Sequence, residues 1–365
     1  MHSLFDLARM TPANSLLRIA RRAAMLTLIG AALSGCVADM ALDVSRAPPQ
    51  VSSKMLAEMS KKGMKAESPV LVRIFKQESE LEVWKLDRSG KYALLKTYPM
   101  CRWSGKLGPK TRNGDRQAPE GFYHVSAGML NPKSQYYLSF NLGYPNRLES
   151  ALGYTGEALM VHGACSSSGC YALTDQGVGE IYPIVSKALA SGQDHFQVQA
   201  YPFRMTPENM ALHKGDANLP FWKTLKEGYD AFELTKQQPK VSVCGRRYVF
   251  NTEFEEGEPR DPLAACPATA TPSDTQLMAK IAAEKQKVDA ALAESKASTM
   301  TAYVDGGMHP SFRALLEKDG ADKLAARISG TKYPVSRPDA ALADPFKGIS
   351  KPSGVGTVSD APAGG

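Results

Sequence analysis

A histidine and a cysteine eight residues apart, His162 and Cys170, are the side chains of this sequence best suited to chemistry. They flank a loop of small residues at positions 163–169. Catalysis by a thiol needs a base that reaches the sulfur, N–H groups that face the developing oxyanion, and room for the substrate. The spacing predicts His162 as the base and the backbone N–H groups of Ser168, Gly169 and Cys170 as the oxyanion hole.

Other interpretations of the loop compete with catalysis. The same residues also suit a buried structural thiol beside a core histidine. A phosphate-binding P-loop would need a lysine where Cys170 stands, and a cysteine phosphatase would need an arginine near Tyr171. A zinc site built from His162, Cys165 and Cys170 lacks a fourth ligand and a paired Cys-x-x-Cys knuckle.

A strand and a helix are predicted to position this loop. Residues 158–161 form an apolar run that predicts a strand ending at His162. Thr174 and Asp175 are good helix caps, and a helical pattern follows them. Pro183 lies inside that pattern, which predicts a late start or a bend. The apolar face of the predicted helix carries Val178, Ile181, Tyr182 and Val185.

The loop resembles a known active-site signature. Residues 161–163 (Val-His-Gly) and 167–170 (Ser-Ser-Gly-Cys) are similar to the His-Gly and Ser-x-Gly-Cys elements of the YkuD-type L,D-transpeptidases. The short His–Cys spacing and the continuation at 171–175 resemble the YafK-like branch of that family. Further matching segments lie at 74–84, 114–123, 140–146 and 201–206. The resemblance covers roughly residues 68 to 250.

This resemblance implies a mainly β catalytic fold with a few helices, and no metal or organic cofactor. The implied substrate is a peptidoglycan stem peptide with a diamino acid at its third position. Cys170 would attack the carbonyl of that residue, the fourth residue (a D-amino acid) would leave, and a thioester would remain. His162 would carry the proton, oriented by the carbonyl of Gly163. The oxyanion and loop residues would be Ser167, Ser168 and Gly169.

The resemblance leaves the outcome of the thioester open. Transfer to an acceptor amine is the expected activity, and the acceptor would be a neighbouring stem peptide or a lysine of a wall-attached lipoprotein. Hydrolytic release of such a lipoprotein from the wall is the alternative. A second alternative is a wall-binding lipoprotein without catalysis. It is motivated by Ala172, because an arginine commonly stands at that position in the wider family.

Composition and charge fit an exported globular protein. The chain has 365 residues, a net charge of +7, 43% hydrophobic and 8% aromatic residues, which is enough for a substantial core. A modest positive charge suits an anionic envelope polymer as well as nucleic acid. No basic aromatic motif favours nucleic acid, and we expect none as a partner.

The N-terminal residues 1–36 have the pattern of a targeting segment. Basic residues precede a short apolar run that ends in Leu-Ser-Gly-Cys, which resembles a lipobox with Cys36 as the lipidated residue. An ordinary signal peptide or a membrane anchor is the alternative. We expect a periplasmic protein anchored by lipid to the membrane, the outer membrane in preference. Residues 37–67 are predicted to be a tether with a short helix near 54–62.

The predicted catalytic domain, residues 68–255, is rich in strands. Strands are expected at 70–75, 81–84, 92–98, 121–125, 136–140, 196–201 and 241–250. A helix is expected over 221–232. Two Gly- and Pro-rich loops at 99–121 and 141–157 are candidates to shape the substrate site.

The predicted extension, residues 256–365, comprises a linker, an Ala-rich helix over 274–296, a second short helix near Leu315, and a disordered tail from about residue 330. Four cysteines outside the lipobox and the loop nucleophile are available for disulfides, and the sequence leaves three pairings open. They are Cys101, Cys165, Cys244 and Cys266.

Overall fold

The computed structural model of the chain describes residues 49–269, 275–296, 303–330 and 333–342. The predicted targeting segment with Cys36, and most of the predicted disordered tail, lie outside these ranges. Among the helices of the described ranges, none is both long enough and apolar enough to cross a membrane.

Nine helices and twelve strands make up the described part of the chain. The helices are α1 (Ser53–Lys61), α2 (Arg147–Ala151), α3 (Asp175–Ala190), α4 (Pro207–Leu212), α5 (Leu219–Thr235), α6 (Thr275–Glu294), α7 (Pro310–Asp319), α8 (Ala321–Ile328) and α9 (Pro338–Ala341). The strands are β1 (Val70–Phe75), β2 (Glu80–Leu86), β3 (Tyr92–Pro99), β4 (Arg102–Trp103), β5 (Gly121–Ser126), β6 (Leu130–Asn131), β7 (Ser139–Asn141), β8 (Met160–His162), β9 (Tyr171–Ala172), β10 (His195–Tyr201), β11 (Val241–Cys244) and β12 (Arg247–Phe250).

Two mixed five-stranded sheets form the centre of the fold. The first has the order β3-β2-β1-β10-β5, and the second has the order β4-β9-β8-β7-β6. Among the described strands, β1 with β10 and β8 with β9 pair in parallel, and the other pairs of these two sheets are antiparallel. Every residue of β1 is buried, including Arg73, whose guanidinium group is paired with the carboxylate of Glu233 at 2.6 Å. The expected β-rich core with a helical C-terminal extension is confirmed.

Helix α3 joins the two sheets, because it contacts β1 and β10 of the first and β7 and β8 of the second. Its predicted apolar face is buried, including Val178, Ile181 and Val185. The Thr174 hydroxyl caps the helix by accepting the Gly177 N–H at 2.9 Å. The helix begins at Asp175, so the late start predicted from Pro183 is absent. This helix starts where the thiol loop ends and fixes that end to the core.

The predicted strand over 241–250 is a hairpin of two strands, β11 and β12. Gly245 and Arg246 both have positive φ, 59° and 62°, and join strands that pair from Val241–Phe250 to Cys244–Arg247. Two central residues with positive φ are the mark of a tight hairpin turn. The sequence pattern missed the turn because only one of the two residues is a glycine.

Two segments predicted to be loose lie against the core. In the predicted tether, Met55 and Met59 of α1 are buried in the main apolar cluster. At the other end, residues 333–342 carry α9 instead of disorder, and Val335 and Ala341 are buried. These residues belong to an apolar cluster with α7, α8 and Ala172 of the thiol loop's outgoing strand.

Candidate active site

The parallel pairing of β8 and β9 brings His162 and Cys170 to one face of the second sheet. Val161 pairs with Tyr171 and His162 with Ala172, so Cys170 lies beside Met160. Side chains alternate between the two faces of a sheet, which places residues 160, 162, 170 and 172 on the same face. Cys170 immediately precedes β9, so the thiol and the imidazole are diagonal neighbours across two adjacent chain segments.

His162 is held by the residue that follows it. Its side chain is buried, and its Nδ1 lies 2.6 Å from the carbonyl oxygen of Gly163. A carbonyl oxygen only accepts, so Nδ1 carries the proton and Nε2 keeps a free lone pair. Burial lowers the pKa of His162 to about 4, against the opposing effects of the Gly163 carbonyl and the Asp175 carboxylate. The imidazole is therefore neutral at neutral pH and able to accept a proton.

Cys170 is the one free cysteine among the described residues, and its side chain is half-buried. Its Sγ accepts the N–H of Met160 at 3.4 Å and lies 3.9 Å from the carbonyl of Ala158. Burial raises the pKa of the Cys170 thiol, and the Met160 N–H and the charge of Lys110 act against that effect. The resting pair is a neutral thiol beside a neutral imidazole, so the proton must move as the sulfur attacks.

Neighbouring atoms approach the backbone of two loop glycines so closely that a side chain would not fit. A Cβ at Gly163 would lie 2.6 Å from the carboxylate of Asp175 and 2.9 Å from the carbonyl of Tyr136. Gly169 has a φ of +130°, and a Cβ there would lie 3.1 Å from Leu159. The backbone at both ends of the loop that precedes Cys170 is thus placed in positions that larger residues cannot occupy.

The first half of the loop is held in an uncommon conformation. Ala164 and Cys165 have φ values of 63° and 48°, which non-glycine residues rarely adopt. A disulfide joins Cys165 to Cys101, with 5.3 Å between their Cα atoms. The Ala164 N–H donates to Asp175 Oδ1 at 2.9 Å. The second disulfide pairs Cys244 with Cys266. These two pairings are one of the three that the sequence left open.

The serines of the loop have different environments. The buried Ser167 hydroxyl donates to the Cys170 carbonyl at 2.7 Å and accepts the Gly169 N–H at 3.3 Å. The exposed Ser168 accepts a 3.0 Å hydrogen bond from Arg116. Because the Gly169 N–H already has a partner, the N–H groups of Ser168 and Cys170 are the better candidates for the oxyanion hole.

Ser336, from the C-terminal extension, fixes the backbone of Ser167 from outside the loop. The Ser167 N–H donates to Ser336 Oγ at 3.0 Å, and the Ser336 hydroxyl donates to the Ser167 carbonyl at 2.7 Å. The buried Arg102 in turn donates to the Ser336 carbonyl at 2.8 Å. A chain of hydrogen bonds thus runs from Arg102 through Ser336 and Ser167 to the carbonyl of Cys170.

The extension also reaches the other side of the site. The ring of Tyr333 lies tilted against Tyr136 with 4.8 Å between ring centroids, and Tyr136 lies 4.7 Å from the ring of His162. The N–H of Gly330 donates to Asp175 Oδ2 at 2.6 Å. Tyr136 covers the imidazole and Tyr333 packs against Tyr136, so this pair of rings contributes to the burial that keeps His162 neutral.

The structure brings together the predicted residues Cys170, His162 and Gly163 with the loop residues Ser167, Ser168 and Gly169, whereas Cys36 lies outside the described residues. Sequence reasoning missed the polar contacts that Asp305, Gly330 and Ser336 make with the site, because each is a single contact without periodicity. It also left unexplained the side chain at 172. Ala172 lies in the apolar cluster that contains Met308 and Phe312 of the extension, so a large charged side chain would displace the extension.

A zinc site in the loop conflicts with the disulfide, because Cys165 is bonded to Cys101 and has no thiolate to offer. Within the described ranges, no three or more side chains of His, Cys, Asp or Glu converge as ligands for a metal ion.

Comparison with known proteins identifies relatives. No family model matches the chain. The chain is 50% identical over 184 residues to the Escherichia coli K12 protein named "Putative L,D-transpeptidase YafK", covering 50% of this chain and 74% of that protein. The protein of the same name from Escherichia coli O157:H7 matches equally.

Two solved structures show weaker likeness. The helical cell shape determining protein Pgp2 from Campylobacter jejuni has a TM-score of 0.30 and 19% identity, covering 52% of this chain and 79% of that chain. Bd1075 from Bdellovibrio bacteriovorus has a TM-score of 0.28 and 14% identity, covering 53% and 79%. At these TM-scores neither structure bears on what this chain does.

Proposed function

The chain belongs to the YafK-like L,D-transpeptidase family, and on that premise we propose that it is a cysteine-dependent acyltransferase of the bacterial cell wall. The observation that carries the proposal is the placement of the free thiol of Cys170 and the neutral imidazole of His162 on one face of two adjacent chain segments. The substrate proposed is a peptidoglycan stem peptide, and the chemistry needs no metal or organic cofactor.

In the first half-reaction, Cys170 Sγ attacks the carbonyl carbon of the third residue of the stem peptide. His162 Nε2 accepts the thiol proton while Nδ1–H stays bonded to the Gly163 carbonyl. The oxyanion faces the N–H groups of Ser168 and Cys170. The amide C–N bond then breaks, His162 returns the proton to the leaving amine, and a thioester remains on Cys170.

The second half-reaction resolves the thioester. An acceptor amine loses a proton to His162 as it attacks, a new amide forms, and the Cys170 thiol is restored. The acceptor is a diamino acid of a neighbouring stem peptide or a lysine of a wall-attached lipoprotein. If water, instead of the amine, attacks the thioester, the stem peptide is released as a free acid and the Cys170 thiol is restored. A lipoprotein joined to the third residue through its lysine would already have left as the amine of the first half-reaction, so the two steps together would release it from the wall.

The site of action proposed is the periplasm, with the protein anchored to the outer membrane through lipid on Cys36. Mass spectrometry of the mature N-terminus tests this directly. A lipid-modified Cys36 at the first position is expected, and an unmodified N-terminus at another residue would contradict the anchor.

Purified protein lacking residues 1–36 tests the function itself. Incubation with tetrapeptide muropeptides and with lipoprotein-linked tripeptides, followed by mass spectrometry, should give dimers or exchange of the fourth residue. Cys170→Ala should abolish product, and His162→Ala should lower turnover by orders of magnitude in a folded protein.

The other outcomes separate the alternatives. Free tripeptide and released lipoprotein at every acceptor concentration would establish hydrolysis instead of transfer. Binding to sacculi without any change of the muropeptides would establish a non-catalytic wall-binding protein. Full activity of Cys170→Ala would show that another residue is the nucleophile.

A further inference from the structure

Three arginines converge on one carboxylate beside the thiol loop. Asp305 Oδ2 lies 3.7 Å from Arg102, 3.2 Å from Arg116 and 3.2 Å from Arg337. Asp305 Oδ1 accepts the Gly105 N–H at 2.8 Å, so this carboxylate is fully engaged. Within the described residues, none of the three guanidinium groups is within ion-pair distance of a second carboxylate. Three positive charges against one negative charge leave two in excess.

Two of the three arginines carry the excess positive charge to the solvent. The side chain of Arg102 is fully buried, whereas Arg116 and Arg337 are 35% and 56% exposed. Arg102 is committed to backbone carbonyls of Ser336 and Asp305. The burial of Arg102, together with the like charges of Arg116 and Arg337, lowers its pKa even though Asp305 opposes the shift. The cluster is therefore electropositive, and Arg116 and Arg337 are the groups that a ligand can reach.

Arg116 connects this cluster to the nucleophile. It donates to Ser168 Oγ at 3.0 Å and to the Ser167 carbonyl at 3.4 Å. The backbone of residue 116 also lies against Gly169, since a Cβ on that glycine would be 3.9 Å from the Arg116 carbonyl carbon. One face of the cluster thus borders the two residues that precede Cys170.

Both exposed arginines have an unusual backbone. Arg116 and Arg337 have φ values of 58° and 48°, in the left-handed region that glycine favours. Non-glycine residues in this region carry a cost in free energy and concentrate at functional sites. Arg116 lies in a loop and Arg337 is the residue that immediately precedes α9.

We propose that Arg116 and Arg337 form a binding site for the terminal carboxylate of the donor peptide. This inference rests on the proposed function, in which the fourth residue of the stem peptide leaves with its own α-carboxylate. Guanidinium groups bind carboxylates through paired, charge-assisted hydrogen bonds. Three bonds separate that carboxylate carbon from the carbonyl carbon that Cys170 attacks, so its partners must border the nucleophile, as Arg116 does. The site selects donors that end at the fourth residue.

The test measures binding in the full-length mature protein with Cys170→Ala, so that no turnover is required. The probes are a tetrapeptide muropeptide with a free C-terminal carboxylate and the same muropeptide as its C-terminal amide. The unaltered cluster should bind the acid about tenfold more tightly than the amide, as expected for one charge-assisted pair. Arg337→Gln should abolish this preference by weakening the acid alone, and Arg337→Lys should restore part of it.

Arg327→Gln is the matched control, because Arg327 is also an arginine of the extension and its side chain is 58% exposed. It should leave both affinities unchanged. An acid-to-amide ratio that survives Arg337→Gln, or an equal loss for both probes, would overturn the proposed site while leaving the function intact. Failure of the Cys170→Ala protein to bind either probe, together with no turnover by the unaltered protein, would overturn the substrate class and the site with it.

Discussion

Both described halves of the C-terminal extension bury apolar side chains, but they contact different parts of the molecule. The scaffold half, helix α6, contacts α4 and α5 and buries Val288 and Leu292. The site half, residues 303–330 and 333–342, places Asp305 and Ser336 against the thiol loop through ion pairs and hydrogen bonds. An apolar contact with two distant helices stabilises the fold alone. Polar contacts with the backbone that carries the nucleophile also set its geometry.

Each half is also associated with one disulfide. Cys244–Cys266 ties the β11–β12 hairpin to the linker that leads into α6, whereas Cys101–Cys165 ties β4 to the thiol loop. The extension is thus two separate additions to the core. One supports the scaffold, and the other completes the candidate active site.

Removing each disulfide in turn should give the largest difference between the two halves in stability and in kcat. The sequence separations are 64 residues for Cys101–Cys165 and 22 for Cys244–Cys266. Loop-closure entropy then predicts that pairwise replacement by alanine lowers the free energy of unfolding by about 4 and about 3 kcal/mol respectively. Only the first replacement should also lower kcat, because only that disulfide holds Ala164 and Cys165 in their left-handed conformation.

Urea denaturation and turnover of the two double variants test this expectation. Equal losses of kcat in both variants, with both proteins folded, would show that the scaffold half also controls the site. Unchanged kcat in both would show that the thiol loop keeps its shape without the disulfide.

Two single substitutions, Leu292→Ala in the scaffold half and Ser336→Ala in the site half, should have smaller effects than loss of a disulfide. Leu292→Ala should lower the free energy of unfolding by about 2 kcal/mol through loss of apolar burial and leave kcat unchanged. Ser336→Ala leaves the buried N–H of Ser167 without its partner, and we expect kcat to fall roughly tenfold.

Ser336 acts on Cys170 through Ser167, so a positioning effect must be separated from a loss of folding. Ser336→Thr keeps the hydroxyl and should restore most of kcat. The rate of Cys170 alkylation should change in Ser336→Ala and stay constant in Leu292→Ala. If Ser336→Ala loses stability but keeps kcat and the alkylation rate, Ser336 only holds the extension in place.

The scaffold of the site was accessible from the sequence. The strand before His162, the cap at Thr174 and the apolar face of α3 follow from short-range periodicity and cap chemistry. The His-Gly and Ser-x-Gly-Cys elements located the thiol and the imidazole, because the residues that form them are close in the chain.

The remaining contacts of the site could not be predicted from the sequence, and the reasons are physical. Ser336 reaches Ser167 across 169 residues through one hydroxyl, and Asp305 reaches Arg116 across 189 residues through one carboxylate. Such contacts leave no periodic pattern, since a single polar side chain suffices for each. The disulfide pairing was open for the same reason, because only the folded chain brings Cys101 next to Cys165.

The smallest expected effect is a change in the pH dependence of kcat/KM when Tyr333, the aromatic residue that the site half packs against Tyr136, is removed. Because burial lowers the pKa of His162 to about 4, the neutral base should persist to about pH 5, and kcat/KM should fall only as His162 protonates below that. Tyr333→Ala should let water come past Tyr136 towards the imidazole of His162 and so favour its charged form. The acid limb of the kcat/KM profile should then move to higher pH by less than about one unit. Leu292→Ala, in the scaffold half, should leave the limb where it is.

Circular dichroism at each pH separates loss of the base from loss of the fold. His124, His213 and His309 also have pKa values lowered to about 4 by burial, so each is protonated more readily when unfolded. Their contribution to stability is present above about pH 6.5 and is lost as the pH falls towards 4. A limb near pH 6.5 in the folded, unaltered protein would show that His162 is solvated during turnover. An unmoved limb in Tyr333→Ala would show that Tyr136 alone keeps water from the imidazole.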